Sequence, residues 1–261
     1  MKITRLLLVL CCFSFVTSSK CDVPTYFQYA FGVNGKRTRH MSAAKLFDSQ
    51  LQIDLAKAAA KGDTNRMSLL ITQGADINFE GHNGMKPLFW ALINKNINGF
   101  TFLLDRGADP NAIVNVQPVS DNALTLAAAL DAPEFLQKLL VHGANPNSVI
   151  GTNSETPIFM AAFWRKTNSV SILLKHGADI NWKDSYGRTV MHNAVDGSSF
   201  MVALFLFRAG ADVTIKNKLN YSPLDHIKKF KDWGVSGDAD QVAYNELIVE
   251  LIKRGLLEKA P

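Results

Sequence analysis

Leucines, alanines and glycines recur along this chain with a period longer than any single helix or strand. Leu69-Leu70, Leu103-Leu104, Leu139-Leu140, Leu173-Leu174 and Leu206 each precede a glycine by a few residues. Those glycines, Gly74, Gly107, Gly143, Gly177 and Gly210, open a Gly-Ala-Asp or Gly-Ala-Asn turn at intervals of 33, 36, 34 and 33 residues. A fixed period of this length marks stacked units. In each unit the leucines form the apolar stripe of a second helix, while Ala58-Ala59, Ala127-Ala128, Ala161-Ala162 and Ala194 let first helices approach closely. The glycine suits the left-handed residue that ends a helix, and the acid or amide after it turns the chain into a projecting finger. Helices this short are stable only when stacked, so stability becomes a sum over neighbouring units.

A second motif opens the units. Lys86-Pro87-Leu88-Phe89-Trp90-Ala91, Asn122-Ala123-Leu124-Thr125-Leu126-Ala127, Thr156-Pro157-Ile158-Phe159-Met160-Ala161 and Thr189-Val190-Met191-His192-Asn193-Ala194 each begin an ungapped window that closes on the glycine. Thr156 and Thr189 are expected to cap the first helix through their hydroxyls, and Pro157 fits the first helical position. These motifs resemble the Thr-Pro-Leu-His-x-Ala signature of ankyrin repeats. The resemblance implies an all-α ankyrin-repeat solenoid of about six helix-turn-helix units with β-turn fingers. The units are placed at about 44–78, 79–111, 112–147, 148–181, 182–214 and 215–257, together spanning 44–257. The first is an N-terminal cap without a Thr-Pro start. In the last, opened by Ser222-Pro223-Leu224, an insertion around Lys231 to Asp240 is expected to loop out, and a closing helix over Gln241 to Arg254 carries the polar face a C-terminal cap needs.

Ahead of the array, Lys2 and Arg5 precede an eleven-residue apolar run, Leu6 to Val16, and then Thr17, Ser18 and Ser19. This reads as a secretory signal over residues 1–19, followed by an extension over 20–43, and it implies export to the periplasm. The run is too short for a bilayer core, which takes about 20 helical residues. Cys11 and Cys12 leave with the signal, so Cys21 alone remains and no internal disulfide can form. A cysteine just after such a run is a candidate acylation site. Lys20 departs from the small residue expected before an acylated cysteine, which favours cleavage near Ser19 and an exposed thiol. Membrane contact is expected only if Cys21 is acylated. Between signal and array, Tyr26, Phe27, Tyr29 and Phe31 form a short aromatic stretch, either packed over the first unit or a spacer.

Composition narrows the function. With 47% hydrophobic and 20% charged residues the chain is globular and not disordered. The formal charge is +5, and +3 once Lys2 and Arg5 are gone, with acids and bases interleaved; nucleic acid is disfavoured. No nucleophile elbow, zinc motif or phosphate-binding loop occurs, so neither catalysis nor a cofactor or metal is expected. His192 fills the motif's own slot, and His142 and His176 precede helix-ending glycines, where a cation complements the helix dipole.

Binding is therefore the expected activity. The slots facing the groove in this fold fall at Trp90, Ile93 and Asn94; Leu126, Ala129 and Leu130; Met160, Phe163 and Trp164; and Asn193, Asp196 and Gly197. The fingers add Phe79, Glu80 and His82; the longer Ala112 to Asp121 loop; Trp182, Lys183, Asp184, Tyr186 and Arg188; and Lys216, Lys218 and Tyr221. Aromatic residues and arginine dominate interface hot spots, which makes Trp90, Phe163, Trp164, Trp182, Tyr186, Arg188 and Tyr221 the candidate contacts of a monomer with a protein partner. Lys228, Lys229 and Lys231 read first as a solvated helix face. The signal, the opening Met41-Ser42-Ala43-Ala44-Lys45-Leu46-Phe47 and Pro87-Leu88-Phe89-Trp90-Ala91-Leu92 resemble exported bacterial ankyrin proteins associated with phospholipase effectors of type VI secretion. That resemblance implies an immunity protein that neutralises a toxic lipase or phospholipase by binding it. A periplasmic scaffold or holdase for a resident enzyme, and an ankyrin effector directed at a host, are the alternatives.

Overall fold

The computed structural model describes residues 42–258, apart from 117, 118, 150, 152 and 234–236. The signal, the extension as far as residue 41 and Cys21 lie outside the described residues. A four-residue opening helix, α1 (Ala43–Leu46), leads into six antiparallel helix pairs. These are α2 (Gln50–Lys61) with α3 (Thr64–Thr72), α4 (Pro87–Ile93) with α5 (Ile97–Asp105), α6 (Ala123–Ala129) with α7 (Pro133–Val141), α8 (Pro157–Phe163) with α9 (Thr167–Lys175), α10 (Val190–Asp196) with α11 (Phe200–Arg208), and α12 (Pro223–Trp233) with α13 (Asp238–Lys253). Each first helix packs on the first helices before and after it, and each second helix likewise. The result is a two-layered, all-α ankyrin solenoid. Its core is one continuous cluster from Ala43 to Leu251.

The small-residue stripe explains the close stacking. Ala59, Ala91, Ala127 and Ala161 are fully buried where neighbouring first helices meet. Gly99 does the same for α5, since a Cβ there would collide with the Ala59 carbonyl. Where first helix turns into second, Gly62, Lys95, Asp131, Arg165 and Ser198 all adopt the left-handed backbone, with φ between 50° and 72°. The backbone demands this of every unit, whatever side chain occupies the position.

At the finger edge a relay of carboxamides ties each unit to the next. Asn78 donates to the Gly107 carbonyl (3.1 Å) and accepts from the Asp109 amide (2.9 Å). Asn111 repeats this on Gly143 and Asn145, at 3.0 and 2.8 Å, and Asn147 on Gly177 and Asp179, at 2.9 and 2.7 Å. Asn181 accepts from Asp212 at 3.0 Å. The relay begins on Gln52 of α2, whose carboxamide, oriented to satisfy both partners, donates to the Asp76 carbonyl (3.1 Å) and accepts from its amide (2.8 Å). Asp76, Asp109, Asn145 and Asp179 in turn each accept from the amide of the next asparagine in the series, at 2.8 to 2.9 Å.

Three local expectations are corrected. The third finger is not a loop: Ile113–Val116 (β1) and Val119–Asn122 (β2) pair antiparallel, with Ile113 opposite Asn122. Over its described residues the insertion in the last unit is mostly helical, not looped out. It lengthens α12 to eleven residues and α13 to sixteen, and α13 starts at Asp238 instead of Gln241. The extra turn brings the buried Asp240 onto the Met201 amide (3.1 Å), capping α11 from another helix, where Ser199 supplies no cap of its own. Glu246 and Glu250 do not simply face water, for both hold Arg208 of α11, at 2.8 and 2.7 Å.

The third correction concerns the threonines. Thr189 and His192 do close the start of α10, with the Thr189 amide and hydroxyl both within 3.0 Å of His192 Nδ1. In α8 the slot of that histidine holds Phe159, so the buried Thr156 hydroxyl has no hydrogen-bond partner. A buried hydroxyl without a partner costs about 1–3 kcal/mol. Thr156→Val is therefore expected to raise the stability by about 1 kcal/mol, and Thr189→Val to lower it by about as much, in urea unfolding followed by circular dichroism.

Candidate partner-binding surface

The first helices present little of what their sequence suggested. Trp90 is only 6% exposed and belongs to the core, so it is withdrawn as a surface anchor. Leu126 and Ala129 are buried too, and Ile93 and Leu130 lean on the core. The reason is the closeness of the alanine-lined helices. Trp90 and Leu126, in the slot after the motif's fourth residue, are covered before any partner arrives, while Met160 and Asn193 in the same slot stay half-buried.

Phe163 and Trp164 escape this. They end α8, where the chain turns into α9, and Phe163 remains 42% exposed while Trp164 is half-buried. The rings meet edge to face, centroids 5.3 Å apart and planes at 90°, an arrangement that aromatic quadrupoles favour. Arg165 follows in the left-handed region and forms an ion pair with the buried Asp240 of α13, which fixes the turn carrying both rings. Burial pulls the Arg165 guanidinium below its usual pKa.

The fifth finger forms a second surface. Asp184 is buried and accepts from the Tyr186 and Arg188 amides and from the Arg188 side chain, each at 2.8 Å. Arg188 also reaches Glu155 at 3.4 Å and lies over the Tyr186 ring, 5.1 Å from its centroid. Burial raises the Glu155 carboxyl above its ordinary pKa; Arg188 opposes that rise and Asp184 adds to it. Tyr186 is 54% exposed. Trp182 turns inward instead, packing on the core and donating from Nε1 to the Ser154 carbonyl at 2.9 Å. It braces the finger and is not displayed.

Tyr221 is half-buried at the base of the sixth finger. Its carbonyl accepts from His192 Nε2 (3.1 Å), and Lys229 lies over its ring at 4.7 Å. The chain thus brings Tyr186 and Arg188 together, and Phe163 and Trp164 together. The two pairs sit at opposite ends of the first-helix layer, separated by the length of a seven-residue helix, about 10 Å. Glu155 and Asp240, which help position these pairs, were not identified from sequence, and Asp184 was read there only as a finger residue. Only the Asp184-to-Arg188 spacing of four residues could have signalled one of them. Among the described residues no cluster of three or more histidine, cysteine or acidic side chains is arranged to hold a metal, and no helix is long and apolar enough to cross a membrane.

His192 links this surface to pH. Burial lowers its pKa below 6.5 by stripping water from the charged form, and the hydrogen bond to the Tyr221 carbonyl opposes that fall only in part. A depressed histidine contributes its stability above the unfolded value and loses it as pH falls through that value. The thermal midpoint is expected to drop between pH 7.5 and 5.5, and to drop less in His192→Gln. Equal drops in both proteins would remove His192 from this role.

Comparison with known proteins agrees with the geometry. A family model described as ankyrin repeats, in three copies, matches residues 46–113 and 124–217. Protein PhlB of Serratia liquefaciens is 32% identical over 148 residues, which is 57% of this chain and 63% of that protein. A putative ankyrin repeat protein of Rickettsia bellii is 29% identical over 169 residues, 62% of this chain and 64% of its own length. An L-asparaginase of Dirofilaria immitis is 26% identical over 178 residues, 67% of this chain but 29% of that enzyme. The chain spans less than two thirds of each of these relatives.

Proposed function

The chain belongs to the ankyrin-repeat family, whose arrays are protein-binding modules, and from that premise we propose that it is an exported immunity protein that binds a secreted antibacterial effector of the lipase class. The observation that carries the proposal is the Phe163–Trp164 pair. An exposed phenyl ring set against an indole, on a turn pinned by an ion pair to another unit, is a preformed hot spot and loses little freedom on binding. The finger pair of Tyr186 and Arg188 supplies a second anchor of the residue types such interfaces favour. The similarity to PhlB and the sequence of the leader support the bacterial, exported setting.

Neutralisation in this proposal is stoichiometric. The array performs no chemistry; it covers the mouth of the effector's active site or holds its lid shut. Ankyrin arrays in general act as binding scaffolds, and sequence likeness to part of an asparaginase lies in a minor share of that enzyme. The mature chain then resides in the periplasm, where it meets an incoming effector.

The test is capture from the native envelope with mature protein, comparing wild type with a Phe163→Ala, Trp164→Ala, Tyr186→Ala variant that keeps its helical signal. One lipase-like protein is expected at equal stoichiometry, inhibited by wild type, with affinity for the variant lower by a factor of about 30 or more. Capture of a resident enzyme whose activity is unchanged or raised would replace this proposal with a scaffold.

A further inference from the structure

Leu219, at the tip of the sixth finger, is 86% exposed, the most of any large apolar side chain among the described residues. The tip is rigid. Asn217 accepts from the Leu219 and Tyr221 amides (2.9 and 3.2 Å), its own amide donates to the Tyr221 carbonyl (2.9 Å), and Asn220 holds the left-handed backbone. The fifth finger is fixed beside it by the Lys218 amide donating to the Tyr186 carbonyl at 2.9 Å. Tyr186 is the next exposed apolar tip, and Ile113 and Val149, at 48% and 46%, continue the row on the third and fourth fingers.

Lysines surround the two C-terminal tips. Lys183, Lys216 and Lys218 are exposed and form no ion pair among the described residues. Of the acids nearby, Asp184 pairs with Arg188, while Asp212 and Asp225 accept from Thr214 and Ser222 and also attract Lys183 and Lys216 at longer range. A leucine this exposed, directly after Lys216 and Lys218, fits a medium that closes around it, in which the leucine enters the headgroup–acyl boundary and the ammonium groups meet phosphate.

We infer that the fifth and sixth fingers dock the array on an anionic lipid surface, with Leu219 inserted and Lys183, Lys216 and Lys218 on phosphate oxygens. The contact uses the tips of the fingers and leaves Phe163 and Trp164, at the far end of the first helices, clear. It shares the fifth finger with the Tyr186–Arg188 anchor proposed above, and rests on Leu219 and the three lysines, which that proposal does not use.

The test is co-sedimentation of the mature chain carrying Cys21→Ser, so that neither leader nor acyl group can hold it to lipid, with vesicles of phosphatidylcholine containing or lacking phosphatidylglycerol. Binding is expected only with phosphatidylglycerol. Leu219→Ser should weaken it about tenfold or more, and the pair Lys216→Gln, Lys218→Gln about 25-fold at low salt. Lys57→Gln, Lys61→Gln on the first unit should leave it unchanged. All these sites are exposed, and an unchanged thermal midpoint checks that each variant is folded. Equal binding to both vesicle compositions, or binding indifferent to the finger variants, would overturn the inference. Binding to labelled polyglutamate but not to vesicles would overturn it in favour of an acidic polypeptide.

Discussion

An asparagine in one finger that satisfies two backbone groups of the next unit is the contact on which the displayed surface depends. Short helices stacked through alanine and leucine fix the spacing of the units, but apolar packing alone is not directional. The relay through Asn78, Asn111, Asn147 and Asn181 adds direction. Each carboxamide engages the carbonyl or amide at a neighbour's helix end, so a finger cannot swing without breaking bonds on the unit beside it. Two net hydrogen bonds per junction contribute only about 1–3 kcal/mol. Their value lies in carrying the orientation of Gln52 at one end through to Asp212 at the other.

The binding surface follows from that rigidity. Trp182 braced on Ser154, the Ser185 amide on the Asn153 carbonyl at 2.7 Å, and Lys218 on Tyr186 join the fourth, fifth and sixth fingers into a ridge. At the opposite edge the long final helix reaches back through Asp240 to the turn that carries Trp164 and Phe163. Residues added to the last unit therefore serve an earlier one. Fold alone does not assign function. What individualises this array is the placement of one aromatic pair, one tyrosine–arginine pair and one leucine on a frame that holds them still.

Much of the fold was legible in the sequence because period and backbone demand agree. The glycines at 74, 107, 143, 177 and 210 all take the left-handed conformation their spacing implied. The carboxamide relay recurs in step with those glycines and could have been read by the same count. The fate of single side chains was less legible. Trp90 and Trp164 both fall in slots expected to face the groove, one turn apart in their units, yet only the former is swallowed by its neighbours. Phe159 in place of histidine left Thr156 without its partner, a consequence that lies three residues away and on the buried side. The pairing of Arg165 with Asp240 spans 75 positions and four intervening helices, and no local pattern carries such information.

Amide hydrogen exchange in wild type and Asn147→Ala tests the central claim most directly. In wild type the Asp109, Asn145, Asp179 and Asp212 amides should exchange only with global opening of the array. In Asn147→Ala the Asp179 amide should lose protection, and the Ser185 and Lys218 amides of the adjoining fingers should loosen with it, while Ala178, bonded to Leu173 within its own unit, keeps its rate. Unchanged protection at Ser185 and Lys218 would mean that each finger is held by its own turn, contradicting the account of a ridge aligned through the relay.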